Sequence, residues 1–535
     1  MIEKRDLVFS VHSFRSLSGL HVFDPMRHQF CLPLILLLCS LSLPEAYAQQ
    51  AAPEGLAPIA ALQVGLFDTI QHVEHSIVTV AVFQSTPEFP VSAETDPFAA
   101  MFSGQIPAAV PARLGTGVIL REDPATGMRS VLTCAHLLEP AFRKQTPPIE
   151  AHIFISCGPQ QTATGRIVAL DGRSNLAVLQ CSLPVQQDHQ TALNIAEKST
   201  KGELILAFGD PRSIAEQGDC SVGLGMISAL RRNVASPFVE QSPDPLASLG
   251  IWMRVDEQST SNLSGGGIFN LRGELTGIST ALPAVTGPYP AAGFAIPCTG
   301  PMRRVIQELL QGYEVSYGFL GIQPAPLSPM QRNPASGGSG NLEFSPASLS
   351  GITVQQVTKN SPAERAGLIP NDLILAVNGN SLAPGDNLDR ELALLGAGTE
   401  VEVSFYRPAT KELLKPKVRL SKWPISPDIP SISTASRQPP WRGASLDYPS
   451  AGLEFSHEHF LPEIPQGVLI RHVLSGSPAA RAGLKGGEFI AKVGEQPVET
   501  PDEFEQALKY WSQKVPVTLS DGREVLVEES PPAIR

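Results

Sequence analysis

Asn262-Leu263-Ser264-Gly265-Gly266-Gly267 holds one serine among small residues, and the reading of the chain turns on it. A serine hydroxyl is a weak nucleophile at neutral pH. It needs a base within hydrogen-bond reach and backbone N–H donors aimed at the developing oxyanion. Glycines beside it let backbone and substrate approach closely. Ser-Gly-Gly-Gly alone is equally an ordinary surface turn, so the reading depends on partners elsewhere in the chain.

Two candidate partners lie upstream. Val131-Leu132-Thr133-Cys134-Ala135-His136 is a strand-like apolar run ending on a histidine. Asp171-Gly172-Arg173-Ser174-Asn175 is a turn feeding a second apolar run, Leu176-Ala177-Val178-Leu179. The order His, acidic-type position, Ser is that of the chymotrypsin triad, which other hydrolase folds do not share. His136 is the candidate general base and Ser264 the candidate nucleophile; their bland readings are a histidine at a strand end and a turn serine.

From about Leu62 to Pro297 the chain resembles the trypsin-like HtrA (Do/Deg) serine proteases. Gly115-Thr116-Gly117-Val118-Ile119 stands for the family's Gly-Ser/Thr-Gly-Val-Ile strand, Thr133 to His136 for Thr-Asn-Ala-His, and Asn175 to Leu179 for Asp-Leu-Ala-Val-Leu. Ser228-Ala229-Leu230 and Gly293-Phe294-Ala295-Ile296-Pro297 match as well. The resemblance implies a mainly β protein: a chymotrypsin-like double β-barrel protease domain over 60–313, followed by two α+β PDZ domains of five to six strands.

The departures concern the chemistry. At the third triad position the family carries Asp and this chain has Asn175. An Asp there fixes the imidazole tautomer and stabilises the imidazolium; exchange for Asn in a serine-protease triad costs about 10⁴ in turnover, about 5 kcal/mol of barrier. Asp171 matches a different turn aspartate of the family and reads as a turn residue. For the oxyanion hole the resemblance names the N–H groups of Asn262 and Ser264, with Asn262 replacing a glycine and Leu263 a polar neighbour. Gln258 and Ser259 fall on pocket positions where the family is small and apolar, which implies a more polar pocket. Gly293-Phe294-Ala295-Ile296 is where substrate would add as a strand.

The N-terminus reads as a targeting segment, 1–48. Phe30 to Leu43 is too short to span a bilayer comfortably, and Ala46-Tyr47-Ala48 is a signal-peptidase-type site. Cleavage after Ala48 from a start at Met26 is expected, giving a periplasmic or secreted protein with no stable membrane span; the other reading is a membrane anchor. With 535 residues and a net charge of −12, the chain holds roughly three or four domains and lacks the basic face that nucleic acid needs. Without Cys31 and Cys39, five cysteines remain. They show no metal-ligand spacing, so neither metal nor cofactor is expected; Cys157–Cys181 pairing is open.

Along the chain, Ile77 to Phe83 reads as a strand and Gln84 to Arg113 as a proline-bearing loop. By resemblance that loop is the regulatory loop reaching toward neighbouring subunits; Phe98 and Phe102 form either a docking helix or a local cluster. A second barrel starts near Leu204, and Pro301 to Tyr313 reads as a helix with Val305, Ile306, Leu309 and Leu310 on one face. Then a repeat appears. Ser361-Pro362-Ala363-Glu364-Arg365-Ala366-Gly367-Leu368 is echoed by Ser477-Pro478-Ala479-Ala480-Arg481-Ala482-Gly483-Leu484. Both copies resemble HtrA PDZ domains, over 316–421 with a Pro/Ser/Gly-rich insertion at 323–350, and over 447–531, joined by a linker at 422–446. Peptide-carboxylate loops are expected at Phe319-Leu320-Gly321-Ile322 and Gly452-Leu453-Glu454-Phe455; Glu454 would repel a carboxylate, and either domain could instead be a spacer.

Two functions are compatible with these residues. One is an exported serine endopeptidase of protein quality control, weakened by Asn175, acting on misfolded polypeptides and binding peptide C-termini. The other is a pseudoprotease acting as a chaperone-like scaffold. The resemblance implies a homotrimer.

Overall fold

The computed structural model describes residues 57–83, 111–142, 152–159, 161–183, 193–232, 252–256, 264–281, 293–326, 351–382, 387–427, 429–454 and 463–529. Contacts divide the chain between Val64 and Gly65. Of the first unit only the leading residues of helix α1 (Ala57–Val73) are described; the barrels and the sheets after them all belong to the second, Gly65–Arg535. Among the described residues no helix is long and apolar enough to cross a membrane.

The β-branched run Ile77 to Phe83 forms strand β1 (Ile77–Phe83), buried along its whole length. Alternation explains burial on both faces: Val78, Val80 and Val82 join one core with Ile119 and Leu179, whereas Ile77 joins another with Leu132 and Phe269. Strands β2 (Arg113–Glu122), β3 (Arg129–Cys134), β4 (His152–Ser156), β5 (Thr162–Asp171) and β6 (Leu176–Cys181) extend the sheet in the order β5-β4-β1-β2-β3-β6, and β5 pairs with β6 to close it. A second closed barrel, in the order β10-β11-β12-β9-β8-β7, is built from β7 (Leu204–Gly209), β8 (Ser221–Arg232), β9 (Trp252–Val255), β10 (Gly267–Asn270), β11 (Leu275–Ser279) and β12 (Phe294–Pro297). This is the expected trypsin-like double barrel.

One apolar core runs from Leu132 through Phe208 and Phe269 to helix α3 (Met302–Leu310), the next long helix after α2 (Pro211–Gln217). Phe208 and Phe269 meet edge to face at 5.5 Å, worth about 1 kcal/mol beyond their buried area. The expected helical face is present: Val305, Ile306 and Leu309 are fully buried. Cys134, Cys157, Cys181, Cys220 and Cys298 are all free thiols.

Beyond α3 the chain passes through β13 (Gly318–Phe319) to a sheet of β14 (Ile322–Pro326), β15 (Ile352–Val357), β16 (Leu373–Val377), β17 (Glu400–Arg407) and β18 (Glu412–Leu414), ordered as numbered, with helix α4 (Leu388–Leu395) between β16 and β17. Strand β19 (Ser421–Lys422) returns to pair with β13. The stretch read as an insertion therefore begins inside a strand, because Gln323 to Pro326 still pairs with β15.

The stretch read as a linker is also structured. Its strand β20 (Ser431–Ser433) pairs with β5 of the first barrel. Its end belongs to a further sheet, in which β21 (Ala444–Asp447), β22 (Val468–Val473), β23 (Phe489–Val493), β24 (Lys514–Leu519) and β25 (Glu524–Glu528) repeat the order of β14 to β18, with helix α5 (Pro501–Leu508) at the position of α4. Proline and serine content suggested a flexible spacer; backbone pairing to two neighbouring sheets prevailed. A knot of charge joins these parts. Lys422 Nζ lies 3.0 Å from Glu314 and 2.7 Å from Asp447, and Arg471 lies 2.6 Å from Glu314 and 3.2 Å from Asp447. Burial alone would push the Glu314 carboxyl up, but Lys422 and Arg471 outweigh it and hold it at about 2.

Candidate active site

Strand β3 delivers His136 on the 3₁₀ turn Ala135–Leu138. The turn from β5 to β6 delivers Asn175, whose φ of 57° is one that asparagine accepts better than most residues. Its carbonyl takes the Ala135 N–H at 2.9 Å, so the two turns lock together through backbone. Ser264 is buried just before β10. Gly265 comes next with φ 98°, where a Cβ would lie 1.8 Å from the Thr116 carbonyl oxygen, so no other residue fits this turn. The Ser264 carbonyl accepts the Thr116 N–H at 3.0 Å, tying the serine turn to the first barrel.

The three candidate residues converge. His136 Nε2 lies 2.8 Å from Ser264 Oγ. On the other side Nδ1 lies 3.1 Å from Asn175 Oδ1 and 3.0 Å from Nδ2, while Oδ1 also accepts the His136 backbone N–H at 3.0 Å. The amide therefore permits two proton arrangements. If Nδ1–H donates to Oδ1, the Nε2 lone pair can accept the serine proton. If Nδ2–H donates to Nδ1, the proton sits on Nε2 and no base faces Ser264. A carboxylate would permit only the first. Burial pushes the imidazole down to about 4, against the hydrogen bond with Asn175 and with a small contribution from the charge of Arg113. The ring is thus neutral at physiological pH, and its protonated form has no anionic partner in Asn175.

One participant escaped the sequence reading. The Ala281 N–H donates to Ser264 Oγ at 3.1 Å. A signal was available: β10 and β11 form a hairpin around Asn270–Glu274 with Gly267 opposite Ile278, and continuing that register sets Ala281 opposite Ser264.

This changes the substrate-strand reading of Gly293-Phe294-Ala295-Ile296. Ala295 pairs with Met253 on β9 and with Ser279 on β11, so that strand has no free edge to which a substrate could add. The segment that passes Ser264 is Ser279-Thr280-Ala281. Gln258 and Ser259 of the expected pocket, Asn262 and Leu263 of the oxyanion loop, and Phe98 and Phe102 all lie outside the described residues.

At the first peptide loop, Phe319 is on β13, Leu320 O accepts the Ala363 N–H at 2.9 Å, Gly321 has φ 89°, and Ile322 opens β14. The same arrangement recurs in the second sheet at Trp441-Arg442-Gly443-Ala444: Arg442 O accepts the Ala479 N–H at 3.1 Å, Gly443 has φ 89° and Ala444 opens β21. Gly452 and Leu453, with Glu454 after them, instead end a 3₁₀ turn, Pro449–Gly452, and Phe455 lies outside the described residues. The apolar spelling Gly-Leu-Glu-Phe misled the reading. The repeat is kept by the loop's contact with the Ser361 and Ser477 helix turns, and at Arg442 the side chain departs from the Leu320 type.

Comparison with known proteins agrees with this architecture. Residues 115–278 match the trypsin-like peptidase domain and residues 318–418 the PDZ domain. A protein of Haemophilus influenzae named "Probable periplasmic serine protease do/HhoA-like" is 26% identical over 435 residues, 80% of either chain. Escherichia coli "Periplasmic pH-dependent serine endoprotease DegQ" is 27% identical over 414 residues, 77% of this chain and 79% of DegQ. The solved structure "HtrA-type protease AlgW with decapeptide" aligns at a TM-score of 0.42 and 19% identity, over 68% of this chain and 99% of that one.

Proposed function

We propose that this trypsin-like serine protease of the HtrA/DegP type, with its PDZ domain, is an exported endopeptidase that cleaves unfolded polypeptides and is slowed by Asn175. The observation that carries this is the 2.8 Å approach of His136 Nε2 to Ser264 Oγ, with Nδ1 resting on Asn175. In the productive arrangement Oγ attacks the scissile carbonyl as its proton passes to Nε2, and the imidazolium then donates to the leaving amine. Backbone N–H groups of the Asn262–Ser264 loop would receive the oxyanion. Asn175 offers the imidazolium a dipole instead of a charge, and a charged hydrogen bond is about twice as strong as a neutral one.

The relatives are named periplasmic, which supports export; removal of a leader after Ala48 and a homotrimeric assembly are what we expect. Substrate C-termini would be held at Phe319–Ile322, where backbone N–H groups meet a carboxylate. Within β14, Pro324 and Pro326 lack N–H groups, so the loop contributes more of that grip than the strand. The second sheet would be a further PDZ-type module with its loop at Trp441–Ala444. A second reading, a pseudoprotease, is favoured by Asn175 Nδ2 at 3.0 Å from Nδ1, the arrangement that places the proton on the wrong nitrogen. A fluorophosphonate probe separates the two: covalent labelling of Ser264 is expected, and a folded chain that never labels would end the protease reading.

A further inference from the structure

Asn175 is placed by a turn whose outer side is covered by chain from far downstream. Asp171, buried at the end of β5, accepts the Ser174 N–H at 2.7 Å and the Tyr317 hydroxyl at 2.6 Å on the same oxygen. The Gly172 N–H donates to Pro430 O at 2.8 Å, and a Cβ on Gly172 would come within 2.9 Å of both Pro430 and Ile429. Arg173 lies over the Tyr317 ring at 5.5 Å and donates to Pro424 O at 2.8 Å. Every residue between β5 and Asn175 is thus engaged, directly or through Asp171, by Tyr317 or by the segment after β19.

The first barrel does not need this segment to close. Strand β4 pairs with β5 from Thr162 to Gly165, β6 pairs with it from Arg166 to Asp171, and β20 pairs with Ala169 to Asp171. The segment is anchored at both ends. Trp423 donates its N–H to Tyr317 O at 2.7 Å and meets Phe319 edge to face at 5.2 Å; Thr434 Oγ1 donates to Val168 O at 2.8 Å, and the Thr434 and Ala435 N–H groups both reach Gly312 O at 3.0 Å.

We propose that residues 424–427 and 429–435 form a strap that, with Tyr317, positions the Asp171–Ser174 turn and through it holds Asn175 against His136. The strap residues touch no reacting atom; they are positioning residues for the proposed proteolytic site, on whose reading their catalytic consequence rests. The energetic logic is that Oδ1 serves two donors, His136 N–H and Nδ1–H, so a sub-ångström shift of residue 175 loses one of them. Misplacement of a catalytic group by about 1 Å can cost 10²-fold in rate.

The test uses the full chain with ¹⁵N-labelled histidine, His136 being assigned by loss of its signals in His136→Gln. Tyr317→Phe removes the hydroxyl bond and keeps the ring; Gly172→Ala pushes the turn off Pro430 and Ile429; Gly172→Ala with Ile429→Ala and Pro430→Ala removes the atoms it would strike. Arg113 on β2, the charged residue that bears on the ring, is untouched. The expected result is that His136 titrates about one pH unit lower in either single variant, because the Asn175 hydrogen bond that opposes burial is weakened, that kcat and fluorophosphonate labelling fall about tenfold with KM unchanged, and that the triple variant recovers most of both. The strap would be refuted as a positioning device by variants that keep the wild-type titration and labelling, whether or not Tm falls. Absence of labelling in the wild type would end the protease reading instead, and the His136 titration would still decide the strap.

Discussion

The two turns that flank His136 differ in kind. The Ser264 turn is fixed by sterics: Gly265 admits no side chain, and Ser264 O is held by the first barrel. The Asn175 turn is equally well placed by hydrogen bonds, yet the group it presents is chemically two-faced. One side of the imidazole has a single geometry; the other has the geometry of a triad without its charge. Position and electrostatics are therefore separable here.

The sharpest way to break that contrast is Asn175→Asp. It leaves the turn in place and removes the unproductive tautomer, so peptide turnover should rise by about 10³–10⁴. Its pH profile should move too. A carboxylate favours the imidazolium, so the acidic limb, expected near 4 in the wild type, should climb toward about 6.5–7. No rise would place the defect in the oxyanion loop.

Gly265→Ala attacks the steric side. With the new methyl overlapping the Thr116 carbonyl at φ 98°, about 3–4 kcal/mol of stability should be lost and Ser264 labelling abolished, read by thermal melts and the probe together. If the variant labels normally, the turn is looser than its contacts imply.

Acid stability isolates the lack of an anionic partner beside the buried His136. Its folded value of about 4 lies below the unfolded one, near 6.5. The unfolded chain therefore takes the proton first, and stability falls as pH drops from about 6.5 to 4, by roughly 3 kcal/mol in all. Replacing His136 by Gln should flatten urea-melt stability across that window. Glu314, held at about 2, acts lower: its contribution is present above the unfolded value of about 4.5 and fades as pH falls toward 2.

Glu314→Gln is the smallest of these effects and a control. It leaves Lys422 and Arg471 one partner short in a partly buried network, so about 2 kcal/mol should be lost. Labelling of Ser264 should stay at the wild-type rate, because the knot lies at the junction of the sheets. A change in labelling would mean that the junction reaches the imidazole.

Legibility tracked the range of the interactions. Strand β1, helix α3 and the His–Ser order were readable because local periodicity and motif order carry them. The loop of the second sheet was misplaced because Gly-Leu-Glu-Phe looks like the first loop in letters, while the true equivalent, Trp441–Ala444, is marked by its contact with the Ser477 helix turn. Gly293–Ile296 was misread because a motif shows a strand but not which of its edges are already paired.

The residue string determined the fold class and the order of protease and PDZ modules through motifs that resemble a known family, and the missing charge at position 175 through the identity of one residue. Only the folded chain decided that Ala281 stands at the nucleophile, that the supposed linker lies along β5, and which atoms of an amide face the imidazole. These are contacts between residues tens to hundreds apart along the chain, and their geometry depends on how the barrels close, which no local pattern records.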